Sequence, residues 1–191
     1  VLSPFNLLYL IGWNVDENII TAIIIILKIG LSAYTFHFFL FRVIKCRDGK
    51  GIIFSLLYAL STYAVFYGAI YNSWLEAVYM LPLICTFIFE AVNGEKKAYF
   101  KLILSYAFMF CTQFYFAYMV GIFSFCFWIF MVILKEKQNV RVVLKQIVYY
   151  AGSVLLAVCM AMIVILPAFL FLSGNMAEDA SKLVGWKTQI F

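Results

Sequence analysis

The stretch "AYFKLILSYAFMFCTQFYFAYMVGIFSFCFWIFMVIL", Ala98 to Leu134, contains one charge, Lys101. As a single helix it would be roughly 55 Å long at about 1.5 Å per residue, against a bilayer hydrocarbon core of about 30 Å. It must therefore fold back as two spans, and its most polar point, "CTQFY" (Cys111 to Tyr115), is the expected reversal. The rest of the chain has the same character. Of 191 residues, 66% are hydrophobic and 12% charged, with a mean hydropathy of +1.03. A soluble domain of this size cannot hide that much apolar surface, so the chain is read as an integral membrane protein. Its 20% aromatic content suits a polytopic helical protein with interfacial belts.

Six spans are expected, forming an all-α polytopic transmembrane bundle: about Asn18–Phe41, Gly51–Tyr71, Leu75–Val92, the two halves of Ala98–Leu134, and Gln146–Leu172. Pro82 predicts a kink in the third. The connections are too short for a soluble domain, so residues 1–191 form one transmembrane domain with outward segments at 1–17 and 173–191. Val1 is not a start methionine, and "GWKTQIF" ends inside an amphipathic stretch. The chain is therefore expected to be a piece of a longer protein. Eleven of the fourteen basic residues fall on every second connection, in "FRVIKCRDGK", "NGEKKAYFK" and "KEKQNVRVVLK", while "YNSWLE" and "TQFYFAY" have none. By the positive-inside rule the basic connections face the cytoplasm and both termini face outward. The net charge of +5 thus reports topology and anionic lipid rather than nucleic acid.

Within these spans a few residues break the membrane rules. Lys28 lies near the middle of the first span, where a lysine costs about 2.5–3.5 kcal/mol to insert. Thr21, Lys28, Ser32 and Thr35 fall within roughly 60° of one another on a helix, a polar stripe that predicts an inward face. Lys28 is either a structural lysine, snorkelling or capped by hydroxyls and carbonyls, or a cation reaching for an anionic group in a membrane cavity. Glu76, in "YNSWLEAVYMLP", follows the outward turn Asn72–Ser73 and the interfacial Trp74. It is either solvated or an outward-facing base or hydrogen-bond acceptor for hydroxyls. Thr112, Gln113, Tyr115 and Tyr118 gather at the same outer edge, where amide and aromatic pairs bind sugars or form an ordinary belt. Glu90 and His37 read as interfacial. The five cysteines form no CxxC and there is one histidine, so no metal site is expected. No phosphate loop, nucleophile elbow or dinucleotide fingerprint is present.

The motifs "SPFNLLYLIGW", "LKIGLSAYTFHFFL", "LLYALSTYAVFYGAIYNSWLEAVYMLPLI" and "CTQFYFAYMVGIFSFCFW" follow one another as in the bacterial YfhO-like membrane protein family, which the chain resembles over roughly Leu2 to Trp128. That family is similar to the GT-C superfamily of glycosyltransferases. The resemblance implies an enzyme of the bacterial cytoplasmic membrane that takes a sugar from a polyprenyl-phosphate carrier to an envelope polymer acceptor on the outer side. It implies that Ser3, Pro4, Phe5 and Asn6 match a motif ending a long extracellular loop, that Lys28 matches an intramembrane lysine, and that Trp74 matches the tryptophan of the turn. Glu76 stands where the family more often has Asp, and Gln113 where it often has Asn, each longer by one methylene. Lys28, Ser3, Asn6, Asn72, Trp74, Thr112, Gln113 and Tyr115 are accordingly expected to bind substrate or lipid, with Glu76 the only candidate base in this chain. The main catalytic carboxylate, with any divalent metal it holds, is expected in the loop ahead of Val1, which leaves these 191 residues inactive alone. The alternative is a non-catalytic lipid or polymer transporter or envelope-assembly scaffold, with Lys28 as a gating or packing charge.

Overall fold

The computed structural model describes residues 3–12, 14–135 and 140–188, with side chains through position 167 and that of Leu170. It is entirely helical among those residues. A 3-10 turn, Pro4–Asn6, leads into the short α1 (Leu7–Ile11), followed by α2 (Glu17–Phe39), whose last turn widens into a π-helical turn at Leu40–Ile44. Then come α3 (Lys50–Ala59), a second π-helical turn (Tyr63–Tyr67), α4 (Gly68–Ile70), a 3-10 turn (Asn72–Trp74), α5 (Leu75–Val92), α6 (Lys96–Thr112), α7 (Phe114–Leu134) and α8 (Val140–Thr188).

Local chemistry sets several of these boundaries. The Asp16 carboxylate caps α2 by accepting from the Asn18 amide at 2.9 Å. Lys45 takes a left-handed conformation after the π turn. Gly94, at φ +96°, closes α5 with paired bonds, Gly94 N–H to the Ala91 carbonyl and Glu95 N–H to the Glu90 carbonyl. A residue with a Cβ is strained there, which is why glycine ends this helix. The reversal expected in "CTQFY" falls on Gln113, whose extended backbone separates α6 from α7.

Among the described residues, four helical segments are long and apolar enough to cross a membrane: Glu17–Ile44, Asn72–Val92, Phe114–Leu134 and Val140–Pro167. Lys50–Ala59 and Tyr63–Ile70, bent by 42°, make a fifth if taken as one broken span. Of the six expected spans, four are supported by length and composition, or five with the bent pair taken as one. The stretch expected as the fourth span forms α6, whose 17 residues reach about 25 Å and carry the lysines 96, 97 and 101 in their first two turns. Of the segments expected to face outward, 3–12 folds against the bundle as described below, and 173–188 continues α8. Residues 1, 2, 13 and 189–191 of these segments lie outside the described residues.

α5 is the central helix. Within its most apolar window 72% of residues are buried, against 22–28% for the other three spans. Ile84 and Ile88 of α5 pack with Leu102, Tyr106 and Met109 of α6, Val120 and Trp128 of α7, and Tyr150 and Ala157 of α8. Without water to drive helices together, such contacts hold by close packing and internal polar bonds. Helix hydroxyls accordingly turn back onto their own backbone: Ser32 to Lys28, Ser55 to Gly51, Thr86 to Pro82 and Ser153 to Tyr149.

Pro82 illustrates the same rule. Lacking an N–H, it cannot bond the carbonyl four residues back, that of Val78. The Tyr58 hydroxyl from α3 donates to that carbonyl at 2.7 Å, and its ring stacks on Phe36 of α2 at 4.2 Å. We expect Tyr58→Phe to cost about 1 kcal/mol of stability. In a Pro82→Ala background, where the restored N–H satisfies Val78, the same change should cost much less. Thermal unfolding of the four proteins in detergent measures this coupling; equal costs in both backgrounds would refute it.

Candidate functional site at the Lys28–Glu76 pair

The polar stripe of α2 faces inward as its spacing predicts, with Lys28, Ser32 and Thr35 all buried. Lys28 is about 1% exposed and Glu76 fully buried, and their side chains form an ion pair at 2.9 Å. Lys28 lies eleven residues into α2, whereas Glu76 is in the first turn of α5, whose positive helix end favours a carboxylate. Their contact sets the start of α5 beside the middle of α2. The expectation of a solvated Glu76 is thus corrected: the bent α3–α4 segment and the Asn72–Trp74 turn deliver it, buried, against Lys28.

The remaining partners close the site. Lys28 Nζ donates to the Asn72 backbone carbonyl at 3.0 Å and lies 5.3 Å from the centre of the Phe5 ring. Ser3 Oγ donates to Glu76 Oε1 at 2.5 Å, and the Tyr79 hydroxyl donates to Glu76 Oε2. Phe5 meets the Tyr79 ring edge-on. Tyr9 and Thr21 share a hydrogen bond at 2.7 Å, so the segment ahead of α2 folds back along it. Two buried charges are costly unless paired and fully hydrogen-bonded, and here both carboxylate oxygens and the ammonium have partners.

Of the other sequence candidates, Asn72 contributes its backbone carbonyl, and Asn6 closes the Ser3–Asn6 turn through its backbone N–H to the Ser3 carbonyl. Trp74 stacks on Tyr67 and Tyr71 and meets Phe116 of α7 at 5.3 Å. It joins the Asn72–Trp74 turn, whose Asn72 carbonyl meets Lys28, to α7 just past the α6–α7 reversal. There Thr112 turns its hydroxyl to the Phe108 carbonyl, Gln113 forms the reversal, and Tyr115 is exposed beside Phe116. These three do not touch Lys28 or Glu76 directly. Glu90, expected at an interface, is buried and paired with Lys101 at 2.7 Å.

Sequence reasoning missed Tyr79, although its position three residues after Glu76 puts both on one helix face. It also missed a buried trio, the hydroxyls of Tyr106, Ser124 and Tyr150, with Tyr106 bonded to Ser124 at 2.5 Å and to Tyr150 at 2.9 Å. These come from three helices and carry no local signal. Among the described residues no group of three or more His, Cys, Asp or Glu side chains is arranged to hold a metal ion.

A bundle of helices with a buried ion pair tied to its first segment defines a polytopic helical membrane protein. The family model described as bacterial membrane protein YfhO matches residues 1–191, and the chain belongs to that family. No curated protein and no solved structure matches the chain.

Proposed function

We propose that this chain is the membrane part of a GT-C-like glycosyltransferase that transfers a sugar from a polyprenyl-phosphate carrier to an envelope acceptor outside the bacterial cytoplasmic membrane. In this reading α6 is the short sixth span, the basic connections face the cytoplasm, and both ends of the chain face outward. The observation that carries the reading is the docking of the Ser3–Asn6 turn on the buried Lys28–Glu76 pair. That turn matches the end of the extracellular loop to which the resemblance assigns the main carboxylate, so the pair fixes the loop against the bundle. A carrier phosphate entering beside Trp74 and Phe116 exchanges with Glu76 for the Lys28 ammonium. The acceptor hydroxyl oxygen then bonds to the anomeric carbon while the bond from that carbon to phosphate breaks. The hydroxyl proton passes to a carboxylate, and polyprenyl phosphate leaves with the bond electrons. Gln113 and Tyr115 stand at the aromatic edge where a sugar would rest.

A second reading, a non-catalytic transporter or scaffold, is favoured by the completeness of the pair: each charge is already neutralised and buried. Transfer from a radiolabelled polyprenyl-phosphate sugar by membranes containing the full-length protein separates the two. The enzyme reading expects transfer by the native protein and its loss in Lys28→Met/Glu76→Gln, which removes both charges together. Absence of transfer across a panel of such donors, with envelope assembly still dependent on the protein, would establish the scaffold.

A further inference from the structure

The basic connections meet at one end of the bundle. α2 and α5 run parallel, since Lys28 meets Glu76 while Phe36 and Phe39 share a cavity wall with Leu81 and Cys85. The end of α5 holds the end of α7 and the start of α8: Lys135 Nζ and Gln146 Nε2 both donate to the Val92 carbonyl, at 2.7 and 3.1 Å. Between the α5–α6 turn and the start of α8 lies a cavity of about 440 Å³, lined by Gly94, Lys96, Tyr99, Lys145, Gln146 and Tyr149.

Three features of this cavity point to one kind of ligand. Lys96 and Lys145 line it, and neither has a carboxylate partner among the described residues, because the nearby Glu90 is taken by Lys101. Glu95 is exposed beside Lys96 and leaves the two lysines in excess. Lys96 is also the first residue of α6, whose N-terminal amides and dipole favour an anion. Gln146 also lines the cavity, 8% exposed, its Nε2 held by the Val92 carbonyl. Beyond the cavity, Phe100 and Leu104 of α6 and Val148 and Leu155 of α8 are exposed apolar side chains that acyl chains can cover. Tyr99 and Tyr149, with ring centres 5.3 Å apart, mark the polar boundary, and Lys145 lies over the Tyr149 ring.

We propose that this cavity binds the headgroup of an anionic phospholipid, the phosphate between Lys96 and Lys145. The site is separate from the Lys28–Glu76 pair and independent of the reaction proposed above. The test uses full-length protein in nanodiscs and reads bound lipid by native mass spectrometry during titration with phosphatidylglycerol or phosphatidylcholine, with inorganic phosphate as a third arm. Each interfacial lysine is worth about 1 kcal/mol toward an anionic lipid, so Lys96→Gln/Lys145→Gln should lower the phosphatidylglycerol preference by roughly thirtyfold. Lys97→Gln, the next charge on the helix and outside the cavity lining, should lower it far less. Thermal unfolding in phosphatidylcholine alone should match the native protein and shows that the double variant folds. An unchanged preference in the double variant, or an equal loss with Lys97→Gln, would overturn the site. Competition by inorganic phosphate at matched concentration would replace the lipid with a free phosphate as the ligand.

Discussion

Lys28→Met should destabilise this protein by about 3–5 kcal/mol, and Lys28→Met/Glu76→Gln should recover most of that loss. A lysine at mid-span looks, from insertion cost alone, like a residue whose removal relieves the membrane. The structure reverses the sign. Glu76 is fully buried, and with Lys28 gone its charge keeps only the Ser3 and Tyr79 hydroxyls. An uncompensated charge in a low-dielectric interior costs more than the inserted lysine did. Converting Glu76 to Gln removes the charge while leaving an amide that the two hydroxyls can still bond. Equilibrium unfolding in detergent should place the single variant on the order of 10 °C below the native protein and the double variant close to it. A single variant as stable as the native protein would mean that the pair is not a buried charge pair in the folded state.

Tyr106→Ala should cost about 3–5 kcal/mol, whereas Tyr106→Phe should cost only about 1. Tyr106 is the largest of the fully buried side chains and packs at the junction of α6, α7 and α8. Truncation removes its ring contacts with Tyr150 and leaves the Ser124 and Tyr150 hydroxyls with weakened partners, their own separation being 3.4 Å. It also opens the core toward an apolar groove of about 550 Å³ walled by Phe110, Gly121, Phe125 and Val154, so the gap is large and its lining poorly placed to collapse. Tyr106→Phe keeps the ring and loses only the hydroxyl, while Ser124 and Tyr150 can still bond each other after a small shift. Comparable costs for the two variants would show that the hydroxyl trio, rather than packing, holds this junction.

Much of the architecture was legible because a bilayer enforces simple rules. Span length, charge-free connections and the alternation of basic loops follow from the cost of exposing polar backbone and charge to hydrocarbon. The reversal at Gln113, the inward face of Lys28, Ser32 and Thr35, and membership in the YfhO family were all contained in local spacing and motif order. The span count was less legible. Hydropathy treats "AYFKLILSYAF" as membrane, but the helix that forms is short and opens with lysines, and the span expected over Gly51–Tyr71 is a pair of helices bent by 42°.

What the sequence determined by itself was a chain of apolar helices with an inward stripe, because those properties depend on each residue's transfer energy and its place in a 3.6-residue repeat. Only the tertiary structure decided what the stripe faces. Lys28 and Glu76 are separated by two chain reversals and a 42° bend, and no local pattern specifies that the Asn72–Trp74 turn carries Glu76 to the middle of α2. The same holds for Tyr58 on the carbonyl freed by Pro82 and for Ser3 on Glu76. In each case a buried polar group required a partner, and the packing of distant helices determined which one it met.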